Sequence, residues 1–348
     1  MQNVYILEQG SYLRKNGDCL TMHKDGRRVQ DIPLKDMNQL VLCGYASLSG
    51  AVIDVLVRNR VETVFVDPRG RFKGRLFVDE HKYVQRRQNQ YLKLSRSDFA
   101  LNTAACIVRA KLANQARMLQ RVFSGEVAAS SSLALRKISG QAEKVGEMEV
   151  LRGMEGTGAR MYFSCWSGHL QKTDFIFNGR NKRPPLDPVN AVLSFVYTLL
   201  TNEVLSAIKI VGLDPYLGSL HEIAYGRPSL ACDLVEEWRT YIADRFVLGL
   251  FRRRVLKPDD FVYRDIHDLD FVDEKDLKNK RPVEMKPAVC RALVQAYEKW
   301  MRREVKLFGA DGKKCSMRTA VRHQVRHFEK YILGESEEYR PFYMSRVY

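Results

Sequence analysis

Apolar and polar residues alternate over roughly the first 75 positions, with the two-residue period of β-strands. The pairs Asn16-Gly17 and Asp25-Gly26 interrupt this alternation and are typical of tight hairpins. One helix-like stretch, residues 48–58, lies between two apolar runs that are rich in strand-forming residues. The pattern therefore predicts a small β-sandwich-like domain over residues 1–76.

After residue 76 the spacing of apolar positions lengthens to that of helices. We expect a helical linker over residues 77–97 and a large all-α domain over residues 98–348, which makes the fold class α+β and multidomain. Asp187-Pro188 is a strong helix start, because the aspartate can cap the helix and proline suits its first position. The candidate helices are 98–123, 129–145, 147–170, 188–211, 230–254, 287–308 and 316–333.

The charge is unbalanced, with 57 Lys and Arg against 41 Asp and Glu, a formal net charge of +16. Such an excess favours a polyanionic partner, either nucleic acid or an acidic membrane surface. A basic protein without such a partner fits the charge equally well. The seven cysteines lie at least 24 positions apart, a spacing that indicates neither a zinc finger nor a disulfide framework.

Membrane attachment is not expected. The amino-terminal residues lack the basic and apolar segments of a signal peptide. The most apolar region, 189–213, is interrupted by Asn190, Glu203 and Lys209, which makes it too polar to span a bilayer. These features predict a cytoplasmic location.

Candidate chemistry centres on residues 212–239, GLDPYLGSLHEIAYGRPSLACDLVEEWR. His221 lies in its Gly- and Pro-broken part, and Ser229 is a candidate cap for the helix that follows. Asp233 and Glu236 are three positions apart and share one helix face. An imidazole with two carboxylates suits Mg²⁺ or Mn²⁺. A solvated acidic face fits the same spacing, and the nearby Glu237 leaves open which acids act together.

Glu155 is a third candidate acid, within GMEGTGARMYF at residues 153–163. The surrounding glycines allow another segment or a ligand to approach closely. They do not form a phosphate-binding loop, because GxxxxGK[ST] is absent. An exposed acid near a helix start is an equally simple interpretation.

Arg318, Arg322 and Arg326 recur every four residues and predict a basic stripe that contacts DNA phosphates. His323 and His327 share this helix with a spacing that metal sites use. The three arginines would repel a cation there, so we interpret the helix as a DNA contact.

Several ordered motifs closely resemble those of the CRISPR-associated adaptation integrases, the nucleases of spacer acquisition. The motifs are GLDPYLGSLH, YGRPSLACDLVEEWR, PPLDPVNAVLSFVYTLL, GMEGTGARMYF, RAKLANQARMLQR, IPLKDMNQLVLCG and VETVFVDPRGRFKGRLF. Together they cover nearly the whole chain. The resemblance implies an amino-terminal domain that forms a homodimer and a helical catalytic domain that joins the 3′-hydroxyl of a short duplex to a repeat boundary.

The family's metal ligands carry over to Glu155, His221 and Glu236, with Mg²⁺ or Mn²⁺ as the cofactor. Asp233 would be a nearby pocket acid in the catalytic set, acting through water. Arg227 would lie near the pocket, either pairing with an acid or contacting a DNA phosphate. The resemblance also implies double-stranded or branched DNA, a repeat array and a small partner protein of the adaptation complex as partners.

Two other functions remain open from the residues alone. A stand-alone structure-specific nuclease would cut branched DNA without joining 3′-hydroxyl ends. A DNA-binding scaffold would keep every DNA activity when Glu155 or His221 is replaced, and would change only in stability.

Overall fold

The structure, a computed structural model, describes residues 2–35, 37–67, 72–76, 83–171, 173–181, 184–264, 282–306 and 314–344. The chain divides into two units. Met1–His81 and Pro287–Glu298 form the first, and Lys82–Lys286 and Lys299–Tyr348 form the second.

The first unit contains two four-stranded sheets, one complete helix and most of a second helix among its described residues. Its elements are β1 (Gln2–Ile6), β2 (Tyr12–Asn16), β3 (Cys19–Lys24), β4 (Arg27–Pro33), β5 (Met37–Cys43), β6 (Ser47–Leu48), α1 (Gly50–Arg58), β7 (Glu62–Val66) and β8 (Phe72–Leu76). One sheet has the order β1-β5-β7-β8 and the other β4-β3-β2-β6. Leu13, Leu40 and Val52 belong to one core that both sheets and the helix share. The prediction of a β-rich amino-terminal region is confirmed, and the sandwich arrangement stays a prediction.

The hairpin predicted at Asp25-Gly26 is confirmed. Lys24 pairs with Arg27, so Asp25 and Gly26 form the whole turn between β3 and β4. Both have positive φ angles, 48° for Asp25 and 75° for Gly26. A two-residue turn of this kind matches the right-handed twist of its strands.

The second unit is mainly helical. Its helices are α2 (Val84–Leu94), α3 (Ser97–Val122), α4 (Glu126–Gln141), α5 (Met148–Leu170), α6 (Pro188–Ile210), α7 (Ser229–Trp238), α8 (Arg245–Arg252) and α10 (Met317–Leu333), and α9 (Pro287–Met301) crosses the boundary between the units. The expectation of an all-α domain needs correction, because two short antiparallel pairs occur in it. These pairs are β9 (Phe261–Tyr263) with β10 (Val283–Met285) and β11 (Glu304–Lys306) with β12 (Lys314–Ser316). Helix α2 lies in residues expected to be a linker, and it packs on α3 and α10.

Helix α6 is a core helix of the second unit. Asp187 caps it by accepting a hydrogen bond from the Asn190 N–H at 2.8 Å. By length and composition this helix could cross a membrane, but 83% of its most apolar stretch is buried within the protein. Glu203 on this helix forms a buried ion pair with Arg318 of α10, with 2.6 Å between Oε1 and Nη2.

Residues 339–344 are fastened to α3 and α7 by buried polar contacts. The side chain of Asn114 donates to the Phe342 carbonyl at 3.0 Å and accepts from the Met344 N–H at 2.6 Å. Glu237 accepts hydrogen bonds from the Tyr339 hydroxyl at 2.5 Å and from the Phe342 N–H. This segment therefore completes the surroundings of α7.

Candidate active site

The carboxylate of Asp233 organises the loop that carries His221. It lies on α7, is fully buried, and accepts backbone N–H groups from Ser219 at 2.5 Å, Leu220 at 2.9 Å and His221 at 3.0 Å. Three such donors satisfy both oxygens of the buried carboxylate. The described contacts of Asp233 thus position the His221 loop, and its action on the reacting groups through water stays a prediction.

His221 is oriented by the same carboxylate. Its Nδ1 lies 2.7 Å from Oδ1 of Asp233, and 31% of its side chain is exposed. Because an ionised carboxylate can only accept, Nδ1 is the donor in this contact, and Nε2 is the ring nitrogen left to meet a ligand. A carboxylate behind a histidine in this way is the usual support for a metal-binding imidazole.

Gly218 allows the loop to lie this close to α7. A Cβ atom at this position would collide with the Asp233 carboxylate and lie 2.8 Å from the carbonyl carbon of Ser229. Ser229 is the first residue of the helix and not its cap as expected, and its hydroxyl donates to the Glu222 carbonyl at 2.8 Å. The loop is thus held to the helix start on both sides of His221.

Lys111 of α3 brings Glu155 and Glu236 together. Its ammonium group contacts Oε1 of Glu155, on α5, and lies 2.6 Å from Oε2 of Glu236, on α7. The close approach of α3 and α5 depends on Gly158, where a Cβ atom would collide with the Leu112 side chain. Two helices far apart in sequence therefore present carboxylates to one cation.

Arg239 is the second cation at Glu236. Its Nη1 lies 2.7 Å from Oε1 of Glu236, and its guanidinium carbon lies 4.8 Å from the Tyr197 ring centroid. Burial alone would raise the pKa of Glu236, but Arg239, Lys111 and His221 outweigh it and lower that pKa to about 2. Glu236 is thus fully ionised at neutral pH.

These side chains fit a hard divalent cation. No group of three His, Cys, Asp or Glu side chains is already arranged as a metal site within the described residues. The Lys111 ammonium, however, is a stand-in cation between two of the three predicted ligands. Oε2 of Glu236 is buried and receives no aligned hydrogen bond from the described part of the chain. Two carboxylates and an imidazole are suitable donors, and a metal would compete with Lys111 for them.

The predicted DNA-contacting arginines lie in different environments. Arg318 is 6% exposed and paired with Glu203, so it does not belong to a surface stripe. Arg322 is half-buried and Arg326 is exposed. Arg227 donates to the Glu222 carbonyl, which places it beside the His221 loop.

Lys111 and Arg239 are site residues that the sequence patterns do not identify. Helical periodicity puts Lys111 on the polar side of its helix, yet it is 5% exposed. Lys111 does lie within RAKLANQARMLQR, one of the motifs that carry the family resemblance. The periodicity of the helix, however, does not indicate which residues Lys111 contacts.

A family model described as CRISPR associated protein Cas1 matches residues 4–274 of the chain. The chain belongs to the Cas1 family. A CRISPR-associated endonuclease Cas1 of Chlorobaculum tepidum is 32% identical over 351 residues, which cover 98% of each protein. A Cas1 endonuclease of Thermus thermophilus is 33% identical over 341 residues, covering 97% of this chain and 96% of that protein. The resemblance identified from the motifs is thereby confirmed.

Solved structures share the Cas1 fold. A Cas1 protein from Thermotoga maritima matches with a TM-score of 0.80 at 22% identity, over 96% of this chain and 97% of that one. A casposase bound to integration product matches with a TM-score of 0.78 at 21% identity, over 97% and 92% of the two chains. A chain of a Cas6-RT-Cas1–Cas2 complex matches with a TM-score of 0.80 at 19% identity, over 98% of this chain and 36% of that chain.

Proposed function

We propose that this Cas1-family protein is a metal-dependent DNA endonuclease and integrase of CRISPR adaptation. The observation that carries the proposal is the meeting of Glu155 and Glu236 at Lys111, with His221 oriented by Asp233, which lies one turn before Glu236 on α7. The relatives named CRISPR-associated endonucleases support the same activity.

The proposed reaction joins a short DNA duplex to a repeat boundary. The 3′-hydroxyl oxygen of the incoming strand forms a bond to phosphorus, and the bond from phosphorus to the 3′-oxygen of the target strand breaks. The proton of the attacking hydroxyl leaves, and the released 3′-oxygen takes up a proton. Water in place of the hydroxyl would give cleavage of branched DNA.

Glu155, His221 and Glu236 would hold Mg²⁺ or Mn²⁺. Such an ion, when bound, supplies Lewis-acid polarisation of the phosphodiester and stabilises the charge that develops. Asp233 keeps the His221 ring in one tautomer and one orientation. Arg239 offsets the charge of the buried Glu236, which would otherwise be costly to keep ionised.

The proposed partners are double-stranded or branched DNA, a repeat array, a second copy of this chain and a small partner protein. The similarity to a chain of the solved Cas6-RT-Cas1–Cas2 complex supports Cas2 as that small partner. The formal net charge of +16 supports binding to DNA backbones. We propose a cytoplasmic location, where these partners would be met.

The test is an integration assay with Mg²⁺ or Mn²⁺, with and without the small partner. It uses a labelled short duplex with free 3′-hydroxyls and a supercoiled plasmid that carries a repeat. His221→Ala and Glu155→Ala are compared with Glu126→Gln, which removes an exposed carboxylate from the first turn of α4.

We expect the wild type and Glu126→Gln to join label to the plasmid, and both site variants to lose joining. Cleavage of branched DNA without joining would favour the stand-alone nuclease. Joining that survives both site substitutions would refute the proposed site.

A further inference from the structure

A cavity of about 270 Å³ lies in the second unit, apart from the residues of the candidate active site. Arg121 lines it from the end of α3, Tyr241 and Arg245 from the junction of α7 and α8, and Trp300 and Arg303 from the end of α9 and beyond. None of these five residues takes part in the contacts around Lys111 and His221. The cavity therefore needs its own explanation.

Aromatic rings hold the guanidinium groups in place. The indole N–H of Trp300 donates to the Ile242 carbonyl at 3.1 Å, and the residue is only 9% exposed. The guanidinium carbon of Arg303 lies 4.6 Å from the Trp300 ring centroid. That of Arg245 lies 5.6 Å from the same ring and 5.4 Å from the Tyr241 ring. Cation–π contacts orient these side chains and leave their N–H donors available.

The charge in the cavity is not compensated. Three arginines face one carboxylate, Glu304. Within the described ranges no carboxylate forms an ion pair with Arg121, Arg245 or Arg303. The volume is slightly below the range of roughly 300–1,000 Å³ that is typical of small-molecule sites. Arginines in this arrangement favour a compact anion, and phosphate matches the planar fork of the guanidinium group.

Helix α3 contributes one residue to the cavity and one to the candidate active site. Lys111 and Arg121 are ten residues apart on α3, which corresponds to about 15 Å along the helix axis. Glu236, which contacts Lys111, and Arg245, which shares the cavity with Arg121, follow the same direction on α7 and α8. Phosphates of one duplex strand are spaced by about 3.4 Å along the duplex axis, so a duplex that lies parallel to α3 covers 15 Å with about four nucleotides.

We propose that bound duplex DNA lies along α3 and that this cavity binds one of its backbone phosphates, about four nucleotides from the phosphodiester that reacts. The inference rests on the proposed function, because it fixes where a DNA strand is held relative to that site. A phosphate contact sets the position of the strand without reading its sequence. The same contact is therefore made with any base sequence.

The test measures DNA binding in EDTA, without turnover, by fluorescence anisotropy at several salt concentrations. Arg303→Gln and Arg303→Lys are compared with Arg58→Gln, which removes an exposed arginine paired with Asp54 in the first unit. Arg303→Gln should weaken binding about tenfold and lower the salt slope by about one, since one phosphate contact is lost. Arg303→Lys should keep most of the salt slope and lose part of the affinity.

A second measurement locates the phosphate. The DNA carries one neutral methylphosphonate linkage at successive positions, numbered from the joining or cleavage site that the active wild type produces. A neutral linkage about four nucleotides away should weaken wild-type binding and leave Arg303→Gln unaffected. If Arg303→Gln matches Arg58→Gln in affinity and salt slope, the proposal is overturned.

A third measurement separates a DNA phosphate from a free one. Inorganic phosphate or a deoxynucleoside monophosphate should not raise the melting temperature of the wild type more than that of Arg303→Gln. Selective stabilisation of the wild type, with equal DNA binding by both proteins, would overturn the DNA proposal in favour of a free-phosphate site. Failure of the proposed function can be distinguished from failure of this inference, because the wild type would then neither join nor cleave DNA.

Discussion

Oδ1 of Asp233 accepts both the backbone N–H of His221 at 3.0 Å and the ring Nδ1–H of the same residue at 2.7 Å. One carboxylate oxygen thus fixes the position of the histidine and its tautomer. The other oxygen accepts the N–H groups of Ser219 and Leu220.

Asp233→Asn should therefore be far from conservative. In either orientation the amide NH₂ group would face two N–H donors. We expect the free energy of unfolding to fall by about 2–4 kcal/mol, because buried donors lose their acceptor. Metal affinity should fall about 10–100-fold, as is usual when the support of a ligand histidine is lost. Urea unfolding and calorimetric titration with Mn²⁺ measure the two effects. Asp174→Asn, which changes an exposed aspartate, should alter neither.

Lys111→Met should destabilise the metal-free protein. Without the ammonium group, the buried Glu236 loses one of its two cationic partners and Glu155 loses its ion pair. Loss of one partner from a buried pair costs about 3–5 kcal/mol. Mn²⁺ should then raise the melting temperature of Lys111→Met more than that of the wild type, because the metal no longer competes with lysine. Equal shifts in the two proteins would contradict competition at this position.

Arg318→Met should affect stability and not DNA binding. Its guanidinium forms several contacts with the buried Glu203, so the variant deprives a carboxylate within α6 of this cation. We expect the free energy of unfolding to fall by about 3–5 kcal/mol. The matched variant Arg326→Met removes an exposed arginine from the same helix and should unfold like the wild type. Weaker DNA binding by a well-folded Arg318→Met variant would contradict this expectation and support the predicted basic stripe.

Deprotonation of the buried Asp244 should make the protein less stable as the pH rises. Burial raises the pKa of Asp244 to about 6 although the Tyr197 hydroxyl donates to it at 2.5 Å. The native state therefore keeps a proton that the unfolded state, with a pKa near 3.8, loses earlier. The stabilising contribution is complete below about pH 4 and is lost as the pH rises through 6.

Asp244→Asn keeps an acceptor for Tyr197 and removes the titration. Its stability relative to the wild type should rise by about 3 kcal/mol between pH 4 and 8, from the shift of about two pKa units. Melting temperatures of both proteins across this range measure the difference. A constant difference at every pH would show that Asp244 does not titrate in this window.

The order of the long helices and the bounds of some could be predicted from the sequence, but the expected helices 230–254 and 287–308 were wrong in extent, because a π-helical segment, Arg239–Asp244, interrupts the first and the second ends at Met301. Helix α6 begins at Pro188 as its Asp187-Pro188 signal predicts, and α3 (Ser97–Val122) lies within one residue of the predicted 98–123 at both ends. Local capping and apolar periodicity determine such features, so a single segment contains the information. The two short β-pairs could not be predicted in this way, because a strand of three residues is too short to show the alternation of apolar and polar positions.

The partners of charged residues could not be predicted in this way. Glu155 and Glu236 reach Lys111 from two other helices, and periodicity along α3 says nothing about what packs against it. Arg318 has the same spacing as Arg322 and Arg326, yet it faces Glu203 in the core. The feature of the sequence that indicates this ion pair is a glutamate within the mainly apolar α6, because a buried carboxylate requires a cation nearby.

The contacts of residues 339–344 also constrain when the protein can become active during its synthesis. Glu237, next to the proposed ligand Glu236, takes its donors from Tyr339 and Phe342, more than a hundred positions downstream. A nascent chain that has not yet reached these residues lacks both donors to Glu237 and the Phe342 ring that stacks on the neighbouring Trp238. The packing around α7, which carries Asp233 and Glu236, is therefore completed only when the last residues have been synthesised. A partly synthesised chain would lack a finished nuclease centre.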